Sequence, residues 1–301
     1  MTVVRRDGHA GSDEPVRALW RLVEAYHALV YYAPERPAVY GALGLKGGWM
    51  GYFASRSAAL AAVPADVVTA CFYGFAPRMV ERALPDAWAY TTPGAALAAR
   101  LEVFDTALRR IHGDGLPEAE AGRVAERLAD IVDSLPSAGA PLFAAHRSTP
   151  RPDVAHLDLF WATTALREYR ADAHVAALRA ATVDPVESNA LMVALGLVPA
   201  DQQRYRGWND TEWAEACDRL RDRGWLDAEG HVTVSGHRGR AEIEDLTDAM
   251  TADACAALDE DEVAALTSDL LRVTGPIITA GEVPYPNGMG MAPVAELAVE
   301  R

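Results

Sequence analysis

The sequence predicts a mainly α-helical fold made of two degenerate helical repeats, the second containing a winged helix with a short two-stranded wing. Three observations predict it. Apolar residues recur every three or four positions through most of the chain. The segment Arg56–Ala62 lines up with His174–Ala180 at a fixed offset, which Val68 and Val186 continue. A helix, a tight glycine, two short apolar runs around a turn and another helix follow one another between Thr211 and Met250.

Leu19, Leu22, Val23, Tyr26 and Val30 form one stripe from Pro15 to Tyr32, and Pro34 and Pro37 end that helix. Helical spacing returns over Trp49–Val63, Val67–Phe75, Gly94–Ile111 and Glu118–Leu135. In the second half it covers Leu157–Ala181 and Val186–Leu195. Asn209-Asp210 is an N-cap signal for a helix over Thr211–Arg223, and Gly224 caps its end. Trp225–Val234 reads as two strands around an Asp227–Gly230 turn, in a MarR-like arrangement, and Ser235-Gly236 opens a long helix to about Met250. These elements divide the chain into a disordered leader (1–14), an N-terminal helical half (15–135), a linker (136–152), a C-terminal half with the winged helix (153–275) and a flexible tail (276–301).

Composition narrows the function. The 301 residues carry 28 Lys plus Arg against 43 Asp plus Glu, a net charge of −15. Nucleic acid repels such a chain. Cys71, Cys217 and Cys255 have no metal-ligand spacing. No run has the length of a membrane span, and the N-terminus has no apolar signal segment, so a cytoplasmic protein without membrane attachment is expected.

The runs Gly47–Arg56, Phe72–Pro77 and Leu166–Ala177 resemble an actinobacterial SalK-like "helix-turn-helix" family, whose members often sit near specialised-metabolite genes. The resemblance spans about Leu19 to Leu271 and implies a helical fold with a winged-helix element; it implies no particular activity. Tyr169 and Ala173 depart from the pattern, where His and Gly are expected, which removes support for an imidazole role at position 169.

A recognition helix presents Arg, Lys, Asn or Gln to bases and phosphates. Over Thr211–Arg223 this chain has Glu212, Glu215, Asp218 and Asp222 against Arg219, Arg221 and Arg223. A DNA partner is therefore not expected.

Chemistry is expected elsewhere. Glu24 and His27 share a helix face, which suits a carboxylate that orients a general base; no second Glu-x-x-His exists to complete a di-metal site, and no metal is predicted. Arg56 stands in an apolar helix with Trp49, Tyr52 and Phe53, and its repeat equivalent is His174. Arg167, Arg170 and His174 form one stripe. Phe72 and Phe75 add aromatic surface. The expectation is a pocket between the halves for a hydrophobic anionic small molecule, with Arg56, Arg167 and Arg170 holding charge. Glu24, His27 and His174 would make it a cofactor-independent acid–base enzyme of isomerase, cyclase or lyase type. Alternatives are ligand sequestration for self-protection and a ligand-responsive regulator. Haem on His27 or His174 is the one cofactor alternative, weakened by the absence of CxxCH. A homodimer would form through the helix from Ser235.

Overall fold

The structure is a computed structural model and describes residues 13–256 and 258–293. It is mainly helical. The helices are α1 (Asp13–Tyr32), α2 (Arg36–Ala42), α3 (Gly47–Ser57), α4 (Ala65–Phe72), α5 (Pro77–Glu81), α6 (Pro93–His112) and α7 (Glu118–Ser134). They continue with α8 (Pro141–Arg147), α9 (Ala155–Ala180), α10 (Pro185–Ala194), α11 (Gln202–Arg206), α12 (Asp210–Asp222), α13 (Val234–Thr251) and α14 (Glu260–Ala280).

Local chemistry fixes several helix starts. Thr92 caps α6 by accepting from the Ala95 N–H at 3.2 Å, with Pro93 at the first helical position. Asp184/Glu187, Asn209/Glu212 and Asp259/Glu262 are reciprocal capping boxes that open α10, α12 and α14.

The central element is α9, 26 residues long, against which α1, α7, α8 and α13 pack. Phe104 of α6 stacks on Phe160 of α9 at 4.1 Å between centroids, and Tyr26 of α1 meets Phe104 edge-on at 4.9 Å. The Tyr26 hydroxyl donates to the His156 carbonyl, tying α1 to the start of α9.

Three expectations about organisation change. The segment 136–152 is no linker: it holds α8, whose Leu142, Phe143 and His146 are buried against α9. Residues 276–293 are no flexible tail. α14 continues through Pro276 to Ala280, its Leu270, Val273 and Ile277 are fully buried, and Val283, Asn287 and Met291 beyond it are buried too. The reason is apolar area: α14 lies along α1. The two halves also share their interior, since one core cluster runs from Leu19 to Met291. Of the leader expected over 1–14, Asp13 and Glu14 begin α1, and the rest lies outside the described residues.

Between α12 and α13 the chain makes one antiparallel bridge, Leu226 to Val232, and among the described residues no strand forms. The two-stranded wing is thus reduced to a turn. Its arms between Gly224 and the Thr233 cap are too short for a ladder, and Asp227 closes the turn by accepting from His231 N–H.

Trp225 then lies flat on α13, over Gly239. A Cβ at 239 would sit 2.3 Å from the indole. We predict that Gly239→Ala costs about 1–3 kcal/mol through this clash, read as a lower urea midpoint; an unchanged midpoint contradicts the packing.

Candidate functional site

A cavity of about 840 Å³ lies between α3, α4, α9, α10, α11 and the segment after α14. α9 contributes Arg167, Ala171, His174, Val175 and Leu178, one helical stripe. The wall from α3 and α4 holds Trp49, Tyr52, Arg56 and Phe72; Phe75 follows in the next loop. Opposite stand Asn189, Met192, Gln202 and Arg206, and Pro284–Met289 forms a strap along one edge.

The loop after α4 is held in an unusual conformation. Tyr73 has φ +45°, a strained region for a non-glycine residue. Its hydroxyl donates to the Val183 carbonyl at 2.6 Å, while Asn189 Nδ2 and Trp208 Nε1 both donate to the Gly74 carbonyl. The strap is fixed by Gln202 Nε2 and Arg206, which donate to the Gly288 carbonyl.

Charge at the cavity is organised around Glu168. It is fully buried and accepts from Arg56 Nε at 3.2 Å and from Arg56 Nη2 at 3.1 Å. Arg167 Nη1 adds a third bond at 3.0 Å. Burial opposes the Glu168 charge, but Arg167 and Arg56 outweigh it and hold the carboxyl well below the usual range. Arg56 also lies 4.1 Å over the Phe72 ring and donates from Nη1 to the Tyr52 hydroxyl at 3.0 Å.

Arg206 is different. Its guanidinium lies 4.2 Å over Phe75, and among the described residues no carboxylate pairs with it. Burial lowers its pKa below the ordinary value, and Arg56 and Arg167 push the same way. One corner of the cavity thus holds three guanidinium groups against one buried carboxylate. Tyr52 responds to that excess: burial pushes the phenol up, but Arg56, Arg206 and Arg167 together bring it below its usual value.

Seven of the expected residues line the cavity: Trp49, Tyr52, Arg56, Phe72, Phe75, Arg167 and His174. Four do not. Phe53 is fully buried in the core, stacked 6.1 Å from Phe72. Arg170 turns to α13, where Glu244 and Asp248 pair with it at 3.1 and 2.6 Å. Glu24 is half-buried on α1, and burial raises its carboxyl despite Arg167 and Arg170.

His27 is sealed in the core. The Thr164 hydroxyl donates to the Phe160 carbonyl, so it accepts from His27 Nδ1–H at 3.0 Å. Nε2 accepts from the Tyr31 hydroxyl at 3.1 Å, and Arg100 donates to that hydroxyl at 3.0 Å. Both ring nitrogens are engaged, which leaves no lone pair for haem and no Glu24 contact to orient the ring. Burial, aided by Arg100 and Arg167, holds the imidazole well below its usual value. His27 is a core residue, and its expected role as general base is corrected here.

His174 lines the cavity and bonds the Thr247 hydroxyl through Nδ1 at 3.0 Å. Burial outweighs Glu244, and with Arg240 and Arg170 it brings the imidazole down to about 4, so the ring is neutral near pH 7.

Sequence reasoning missed Arg206, the strap and the amide pair Asn189–Gln202. Arg206 lies on the five-residue α11, bounded by Pro199 and Gly207. Those two breakers were the signal to follow.

Of the three helices α10, α11 and α12, the first two line this cavity, and α12 packs against α10. The arginines of α12 and its end are committed to protein acceptors: Arg219 to Asp184 and Glu187, Arg221 to Asp218, Arg223 to the Ala181 and Thr182 carbonyls. Glu212 is held by Arg78. Among the described residues no helix is long and apolar enough to cross a membrane.

Comparison with curated proteins and with solved structures finds no match. A family description does match, over residues 16–284; it covers the helices that line the cavity and ends at the first residue of the Pro284–Met289 strap. By that match the chain belongs to the helix-turn-helix family.

Proposed function

We propose that this protein binds a hydrophobic, anionic small molecule in the cavity beside α9. The observation that carries the reading is charge placement. A chain of net charge −15 concentrates Arg56, Arg167 and Arg206 in one aromatic-walled corner, where among the described residues Glu168 pairs with Arg56 and Arg167 and no carboxylate pairs with Arg206. A buried excess of positive charge is costly without an anion. Aromatic walls supply the apolar part of the affinity.

In this reading the helix-turn-helix segment α10–α12 is a scaffold whose α10 and α11 wall the cavity. The exposed face of α12 carries Glu215, Asp218 and Asp222, which disfavours DNA. A degenerate winged helix, the repeat that pairs Arg56 with His174, the SalK-like assignment with its tie to specialised metabolism, a cytoplasmic location and a homodimer through α13 belong to the same proposal. Acid–base catalysis would fall to Tyr52 and His174, two of the titratable groups on the cavity wall; product formation from a bound compound separates an enzyme from a sequestering protein.

The test is fluorescence titration with 8-anilinonaphthalene-1-sulfonate and with neutral N-phenyl-1-naphthylamine. We expect the sulfonate to bind and Arg206→Met to weaken it at least about tenfold, the scale of one hydrogen bond to a charged group. The neutral probe should be little changed. Equal effects on both probes would overturn the reading.

A further inference from the structure

The cavity also indicates which kind of anion fits, an inference that rests on the reading just given. A guanidinium has only donors, so the Tyr52 hydroxyl oxygen accepts from Arg56 Nη1 and its own hydrogen is directed elsewhere. Among the described residues the Tyr52 hydroxyl has no other hydrogen-bond partner. An O–H donor thus stands on the cavity wall without a protein acceptor.

The guanidinium forks around it are partly committed. Arg56 presents Nε and Nη2 to Glu168, Arg167 presents Nη1 to the same carboxylate, and Arg206 presents Nη2 to the Gly288 carbonyl. Two-toothed pairing with a ligand carboxylate needs a free fork. Arg56 has none, while Arg167 uses only Nη1 and its Nε is buried without a partner among the described residues. What sets this corner apart is the single directed Tyr52 hydroxyl, and one O–H donor matches a single charged oxygen attached to an apolar body.

We propose that this corner is an oxyanion site, in which the Tyr52 hydroxyl donates to the ionised oxygen of a phenol or enol while Arg206 and Arg167 balance its charge. The ligand loses its own proton to solvent on binding, and Tyr52 keeps its hydrogen. The aromatic rings of Phe72, Phe75 and Trp49 would hold the carbon skeleton. Donors placed where charge sits are the arrangement by which acyl- and proton-transfer sites stabilise enolates. The ligand class is therefore acidic phenols and enolised carbonyl compounds.

The experiment uses 4-nitrophenol, whose phenolate is yellow, beside benzoate as the carboxylate probe. Wild-type protein should bind 4-nitrophenol as the phenolate and lower its apparent pKa by at least about one unit, a tenfold change in the phenolate-to-phenol ratio. Tyr52→Phe should abolish that shift and change benzoate affinity by less than about threefold, under half a pKa-unit equivalent. Arg206→Met, which keeps the hydroxyl, should weaken both probes. An unshifted 4-nitrophenol pKa in the wild type, or a shift that survives Tyr52→Phe, overturns the oxyanion site. If benzoate still depends on Arg206 in that case, the anion-binding cavity stands and only the ligand class falls. If neither probe responds to Arg206→Met, the anion-binding reading falls with it.

Discussion

Glu168→Ala is expected to remove about 3–5 kcal/mol of stability, the loss seen when one partner of a buried ion pair is deleted. The carboxylate is fully buried and accepts three bonds from two arginines. Arg56 and Arg167 keep only 7% and 13% of their side-chain surface exposed, so water cannot replace the lost partner. Single domains are stable by only about 5–15 kcal/mol, which makes this a large fraction of the total. The measurement is a urea unfolding curve at neutral pH. Glu168→Gln should recover part of the loss, because the amide oxygen still accepts from one guanidinium. Wild-type stability in Glu168→Ala would contradict the buried network. The pH dependence carries a sign. The folded-state pKa of Glu168 is depressed, so its contribution is present above the ordinary carboxylate range and is lost as pH falls through the depressed folded value.

The second large effect comes earlier on acidification. His146 on α8 is 4% exposed and its Nε2 has no hydrogen-bond partner. Burial lowers the imidazole to about 4; Glu168 opposes this, while Arg100, Arg56 and Arg167 support it. Unfolded histidine takes up its proton near pH 6.5. Between those values the unfolded chain binds the proton and the folded chain does not. Stability is therefore intact above about pH 6.5 and declines as pH falls toward 4, by about 3 kcal/mol from this residue. His174 contributes in the same direction. Urea midpoints measured from pH 7 to 4 should fall, and His146→Leu should flatten the slope. A variant whose slope equals that of the wild type would contradict the buried neutral imidazole.

Much of the architecture could be read from periodicity. The stripes of α1, α6, α7 and α9 and the cap at Asn209 are single-helix signals, and observed ends fall close to those expected, as in Glu118–Ser134. What escaped depends on contacts between distant segments. Asp259 and Glu262, the first and last members of an acidic run, cap α14, a role that shows only once the helix they open is in place. Pro276 reads as a helix stop, yet burial of Ile277 against the core carries the helix past it. α8 and α11 are too short for periodicity to register.

At the site, an arginine alone in an apolar helix was informative: Arg56 marks a buried charge because arginine is rarely buried unpaired. Its partner Glu168 sits beside Arg167 in the sequence, 112 positions from Arg56, so the pair forms only on folding. His27 misled for the opposite reason. A histidine and a glutamate three residues apart suggest chemistry, but the Thr164 and Tyr31 hydroxyls that satisfy the ring become neighbours only after folding. Arg206 reaches the cavity because Gly207 and Pro199 fold α11 back against the Phe75 loop, where the Ala76 N–H donates to the Arg206 carbonyl.

The central claim is that the cavity selects negative charge, and calorimetric titration of 1-naphthoate against its neutral counterpart 1-naphthalenemethanol tests it most directly. The two share a ring system and differ in charge. Wild-type protein should bind the acid at least about tenfold more tightly, and the difference should shrink to about twofold in Arg167→Met/Arg206→Met, as expected when charge-assisted bonds worth about 1.5–3 kcal/mol are removed. Equal affinities in the wild type, or a preference for the acid that survives the double substitution, would contradict the claim.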